Sequence, residues 1–139
     1  MFHRILLPVD LTDKHEPALN IAADLLEKSQ GELTLLHVIE LIPGLDRQEE
    51  KTFYGRLEDA AQKHLDGLAS ICKKRRLAGQ AKILYGNRAA ETARFARDWS
   101  ADLIVLTAPR LDPADPAGSW GSLSYKISLL ASCPVLLIK

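Results

Sequence analysis

The chain has little of anything that marks a specialised class of protein. It carries two cysteines in 139 residues, Cys72 and Cys133, set far apart and without ligand-like spacing. That excludes a disulfide framework and reads as a reduced, intracellular chain. Its four histidines, His3, His15, His37 and His64, show no HExxH or paired spacing, which argues against a metal site. No apolar run approaches the roughly 18 residues needed to span a bilayer. The Ile5-Leu6-Leu7 run is broken by Pro8 and Asp10, too soon for a signal-peptide core. Neither sign of charge is in excess, with 18 basic against 18 acidic side chains and a pI near 6.9, so a dedicated nucleic-acid binder is excluded. Repeats and low-complexity tracts are absent. The expectation is a cytoplasmic chain with neither nucleic-acid nor membrane partners.

What is present is an ordinary globular composition, 47% hydrophobic and 26% charged, at a length that suits one domain over residues 1–139. Short solid apolar runs alternate with longer periodic segments. Strands are predicted at residues 4–10, 33–39, 81–85, 102–107 and 134–138. Helices are predicted over 13–29, with Leu19, Ala22, Ala23 and Leu26 inward and Gly31 as the stop, and over 48–76, with Leu57, Ala61, Leu65, Leu68 and Cys72 as the apolar stripe. Two more run from the N-cap Asn87 to Trp99 and over 122–131. Strand and helix in alternation mean right-handed crossovers and a parallel α/β sheet wound on both faces, whose doubly buried strands are solid rather than alternating.

In such a sheet ligands bind beyond the C-terminal strand ends, where strand order reverses. With the first strand central, that crevice receives Val9-Asp10-Leu11-Thr12 and Thr107-Ala108-Pro109-Arg110. The start of the last helix, Gly121-Ser122-Leu123, opens toward it, and free N–H groups there favour a phosphate.

Ile5-Leu6-Leu7-Pro8-Val9-Asp10, Leu36-His37-Val38, Gly86-Asn87-Arg88-Ala89, Ala101 to Leu106, Gly121-Ser122-Leu123-Ser124 and Cys133-Pro134-Val135-Leu136 together resemble the universal stress protein family, in its order and from end to end. The resemblance implies an adenine nucleotide alpha hydrolase-like fold, strand order 3-2-1-4-5, and dimers joined through the last strand. It places a nucleoside beside Pro8, Val9, Asp10 and Val38, and phosphates beside Thr107, Arg110, Gly121, Ser122 and Leu123.

The family's ATP binders carry Gly-x-x-Gly, nine residues, then Gly-Ser or Gly-Thr. Here Thr107-Ala108-Pro109-Arg110 stands on the first element, so both glycines are missing, and ten residues precede Gly121-Ser122. Glycines let backbone amides approach phosphate closely, whereas Pro109 has no N–H. Asp112 and Asp115 add negative charge that a triphosphate tolerates only with a metal ion such as Mg²⁺. Arg110, Lys126 and Gly118-Ser119-Trp120-Gly121-Ser122 stand in favour of binding.

Several residues have local explanations as well. Asp10 either contacts a ligand or caps the turn after the first strand. Thr12 replaces the acid that an aspartyl-phosphate phosphatase needs two residues on, and Tyr85-Gly86-Asn87 lacks a receiver domain's phosphoacceptor. His37, Trp99 and Cys133 read as core, Ser122 as an N-cap, and Trp120 as the pin of a long loop. Lys73-Lys74-Arg75-Arg76 compensates a helix dipole.

Val135, Leu136, Leu137 and Ile138 would form an unprotected edge, which predicts a homodimer through that strand. Two functions follow. One is a non-enzymatic dimeric stress-response regulator or binding module, with an unidentified regulatory partner and weak or absent ATP affinity. The other is an adenine-nucleotide switch with at most slow hydrolysis. An electron-transfer flavoprotein-like subunit is a distant third.

Overall fold

The computed structural model describes residues 1–108, 114 and 123–139, without the Arg47 side chain. Among the described residues five strands, β1 (Arg4–Pro8), β2 (Glu32–Ile39), β3 (Ala78–Tyr85), β4 (Leu103–Thr107) and β5 (Val135–Ile138), alternate with four helices, α1 (Glu16–Glu27), α2 (Arg47–Lys74), α3 (Arg88–Asp98) and α4 (Leu123–Leu130). Every strand pair is parallel and the order is β3-β2-β1-β4-β5, as expected.

Each solid apolar run divides residue by residue between two cores. Ile5, Leu7, Leu33, Leu35, Leu103 and Val105 pack with α1 and α2 on one face. Leu6, Leu36, Val38, Ile104 and Leu106 pack with α3 and α4 on the other. A period of two therefore operates inside runs that look continuous, because both faces are dry. The predicted stripe of α1 is buried at Leu19, Ala22, Ala23 and Leu26, and that of α2 at Ala61, Leu65, Leu68 and Cys72, with Leu57 half-buried.

The helix ends explain the boundaries. Asp46 accepts from the Gln48 and Glu49 amides at the start of α2, and Asn87 accepts from Ala90 N at the start of α3, the cap foreseen for it. α1 begins three residues later than expected, with Pro17 in its first turn, where a missing N–H costs nothing. Its stop is also different. Gln30 takes the left-handed conformation (φ 53°), while Gly31 is needed for space: a Cβ there would lie 2.4 Å from the His3 carbonyl oxygen, which accepts from Glu32 N.

β3 starts three residues earlier than its hydropathy suggests. Ala78, Gly79 and Gln80 pair with Glu32, Leu33 and Thr34, so backbone bonding, not side-chain burial, sets that end of an edge strand. Of the basic cluster, Lys73 and Lys74 lie in the last turn of α2, but Arg75 does more than offset a dipole. It reaches across to α1, 2.5 Å from Asp24 and 3.2 Å from the Asn20 carbonyl. Trp99 is half-buried, with Arg4 5.8 Å over its ring, and Cys133 is half-buried rather than fully enclosed. Among the described residues no helix is long and apolar enough to cross a membrane.

The two glycines that meet different surroundings give a paired test. Gly31→Ala should destabilise by about 1–3 kcal/mol through overpacking against a carbonyl. Gly67→Ala, inside α2 with open space around it, should be neutral or stabilising by up to ~1 kcal/mol. Urea unfolding followed by circular dichroism checks both, and a Gly31→Ala protein as stable as wild type would contradict the packing argument.

Candidate functional site

All five strands run the same way, so their C-terminal ends and the helix starts that follow share one edge. A crevice of about 220 Å³ opens there between β1 and β4, just under the roughly 300–1,000 Å³ common for ligand pockets. Leu36, Val38, Leu106 and Leu123 form apolar walls, and Asp10, Lys14, His15, Arg88 and Thr107 supply the polar groups used below. Of the residues expected from sequence, Pro8, Val9, Asp10, Val38, Thr107 and Leu123 are brought together on this lining. Arg110, Gly121 and Ser122 lie outside the described residues, as do Asp112, Asp115 and Trp120. Lys126 is exposed on α4 and does not line the crevice.

Lys14, His15 and Arg88 were not anticipated. Each sits at or just before a helix start, Lys14 and His15 ahead of α1 and Arg88 as the first residue of α3. The edge rule applied at every strand-to-helix junction, rather than only beside β1 and β4, would have found them.

His15 is the least expected. It is 5% exposed, and its ring spans the crevice floor from one strand end to the other. Nε2 lies 2.7 Å from Asp10 Oδ1 and Nδ1 lies 3.0 Å from Thr107 Oγ1. Asp10 Oδ1 also accepts from the Thr12 amide at 2.9 Å and from the Thr12 hydroxyl, which is the turn-capping role considered for it. Burial raises the Asp10 pKa, but the hydrogen bonds from Thr12 and His15 and the His15 charge outweigh it, holding the carboxyl well below the usual carboxylate range. Asp10 is thus a carboxylate and can only accept. His15 Nε2 also lies 3.1 Å from the donating Asp10 amide, so the ring is tied to both the backbone and the side chain of Asp10.

His37 makes the complementary tie. Its Nδ1–H donates to the Val9 carbonyl at 2.8 Å, while Val9 N donates to Leu36 O at 2.8 Å. As expected it is a hydrogen-bonded core histidine, and it pins the β1 exit against β2. Arg88 Nε donates to the Val38 carbonyl at 3.4 Å. Among the described residues no cluster of three His, Cys, Asp or Glu side chains could hold a metal.

The depressed Asp10 pKa has a defined pH signature. Between the folded value and the ordinary 3.8 the unfolded chain binds more protons, so Asp10 adds stability above that range and loses it as pH falls through the folded value. Asp10→Asn should therefore lower stability at pH 7, and the gap from wild type should shrink steadily below pH 3.8. Urea midpoints across pH check this, and a gap independent of pH would overturn it.

A model of the universal stress protein family matches residues 1–139. The chain is 28% identical to the universal stress protein YxiE of Bacillus subtilis, over the whole of both chains. Universal stress protein UspA from Lactobacillus plantarum superposes with a TM-score of 0.81 at 22% identity, covering 99% of this chain and 98% of that one. The universal stress protein of Archaeoglobus fulgidus in complex with dAMP superposes at 0.75 and 20% identity, over 99% and 98% of the two chains.

Proposed function

This chain belongs to the universal stress protein family, and we propose that it is a cytoplasmic, dimeric stress-response binding module whose crevice takes an adenine nucleotide, a monophosphate in preference to ATP. The observation that carries the reading is the make-up of the crevice. Apolar Leu36, Val38, Leu106 and Leu123 wall a space at the strand-order reversal that also receives the cations Lys14 and Arg88. Apolar walls suit a base and cations suit a phosphate. Structures of other universal stress proteins hold dAMP, cAMP and AMP, which supports a monophosphate for the site. The sequence supports the weaker claim of ATP, since Thr107 and Arg110 replace two glycines and Pro109 offers no amide to a longer phosphate chain. A triphosphate, where it binds, would bring Mg²⁺ with it.

Dimerisation rests on a second observation. β5 is a sheet edge, and it exposes Leu136 and Leu137; on α4, Leu129 and Leu130 are 69% and 56% exposed. An edge of this kind, apolar from Val135 to Ile138 with Lys139 as the next residue, is a pairing template that a second copy would cover. The module is read as a regulator rather than a turnover enzyme, acting on a protein partner through its liganded state.

Titration calorimetry tests the site. AMP should bind, ATP should bind more weakly, and Arg88→Glu should weaken AMP by about tenfold, equivalent to ~1.4 kcal/mol, while leaving adenosine unchanged. AMP without measurable binding would sink the reading. For the dimer, light scattering at micromolar concentration should give twice the chain mass, falling to one chain mass in Leu136→Glu/Leu137→Lys, and a monomeric wild type would refute it.

A further inference from the structure

His37 has one ring nitrogen that the fold leaves idle. Successive residues of β2 face opposite sides of the sheet. Leu36 and Val38 turn to the core shared with α3 and α4, so His37 and Ile39 turn to the side that carries α1 and α2. There they line a second cavity of about 380 Å³, with Leu11 after β1, Glu40 and Ile42 after β2, Leu57 of α2 and Arg88 of α3. Its volume lies within the range common for ligand pockets. The crevice between β1 and β4 uses Leu36 and Val38, so the two spaces lie on opposite faces of β2, and Arg88 borders both. The His37 residue is 5% exposed. Its Nδ1 donates to the Val9 carbonyl at 2.8 Å, because a carbonyl can only accept. In the neutral ring Nε2 is therefore an acceptor, and no described residue hydrogen-bonds to it. Nor is it sealed away: among the described side chains only His64 Nε2 is enclosed without a partner, so His37 Nε2 opens to the cavity that its ring lines. Buried Tyr54 steadies the mouth, its hydroxyl oxygen accepting from Ile42 N at 2.5 Å.

We propose that this cavity is a second ligand site, for a small, neutral, largely apolar molecule with one hydroxyl donor, of the phenol class. Leu11, Ile39, Ile42 and Leu57 give it apolar walls, and His37 Nε2 is the one buried acceptor it offers. A buried acceptor left unmet is costly, and a hydroxyl meets it while an apolar group does not. The rim carries one acid, Glu40, and one base, Arg88, whose Nε is turned to the Val38 carbonyl at 3.4 Å. Opposite charges at one mouth favour neither an anion nor a cation, which is why the occupant is neutral. A phenol places its ring against the leucines and isoleucines and its O–H on Nε2, and both ends are then satisfied. The site does not depend on a nucleotide in the crevice, so either reading can fail without the other.

The experiment titrates isotope-labelled full-length protein with 4-ethylphenol and, separately, with its isomer 4-methylanisole, which has the same formula and no donor. Magnetic resonance follows the imidazole nitrogens, the backbone amides and the side-chain methyls. Saturable binding of 4-ethylphenol is expected, with Kd on the order of 1 mM or tighter. The His37 Nε2 resonance should move, together with Leu11, Ile42 and Leu57, while Leu106 and Leu123 of the crevice stay in place. The anisole should bind about three- to tenfold more weakly, the worth of one neutral hydrogen bond. Leu57→Trp, which fills the cavity from α2, should weaken 4-ethylphenol by at least about tenfold with an unchanged circular dichroism spectrum. His37→Phe should bring the two isomers to equal affinity. Should either variant fail to fold, the isomer pair and the shift map of the wild-type protein decide the question alone. No saturable binding of 4-ethylphenol, equal affinity of the two isomers for wild type, or shifts confined to the crevice overturns the proposal.

Discussion

A parallel sheet imposes one constraint from which the rest of this molecule follows. Each strand must be re-entered from the same end, so every connection crosses a face of the sheet, and both faces become covered. β1 lies at the centre of the order, with connections leaving it toward β2 and arriving at β4. Its residues Ile5, Leu6 and Leu7 are wholly buried, and they divide between the two cores. The same constraint sends all strand exits and helix starts to one edge. Polar groups that would be unwelcome elsewhere can collect there, since a helix start has unpaired N–H groups and a strand exit has spent its ladder.

The bridge through His15 shows how the constraint becomes chemistry. Asp10 follows β1, His15 precedes α1 five residues later, and Thr107 ends β4, so one ring joins the β1 exit to a strand end 92 residues on. The contact, together with the hydrogen bonds from Thr12, holds the carboxyl pKa below its ordinary value. It also ties the β1 exit to the end of β4 at the crevice. His37 performs a related task one strand over, fastening Val9 to β2. The same side chains that fasten the strand exits therefore line the crevice.

The two sheet edges are treated differently. β3 pairs along its full eight residues with β2, and α2 packs beside it. β5 is four residues long, exposes Leu136 and Leu137, and has no covering element among the described residues. That asymmetry was readable in advance, because Val135-Leu136-Leu137-Ile138 has no charged neighbour before Lys139. The early start of β3 was not, since Ala78-Gly79-Gln80 has no hydrophobic signature and extends only because the Glu32–Thr34 backbone needs a partner. Gly31 was legible as punctuation but not as the residue that makes room for the His3 carbonyl.

Composition and periodicity alone determined the element order, the parallel class of sheet, the buried stripes of α1 and α2, the end of β3 before Gly86-Asn87 and the cap at Asn87. These are local properties, expressed within a turn of helix or a few residues of strand. They also placed Asp10 and Thr107 at one edge, because topology converts sequence order into position, while Val38 entered through the family resemblance. What they left open was which side chains touch. His15 looked like one of four unremarkable histidines, and only folding sets its ring between a carboxylate five residues away and a hydroxyl ninety-two residues away. A hydrogen bond depends on distances of a few tenths of an ångström, and those are decided by how helices settle on the sheet, which no local pattern encodes.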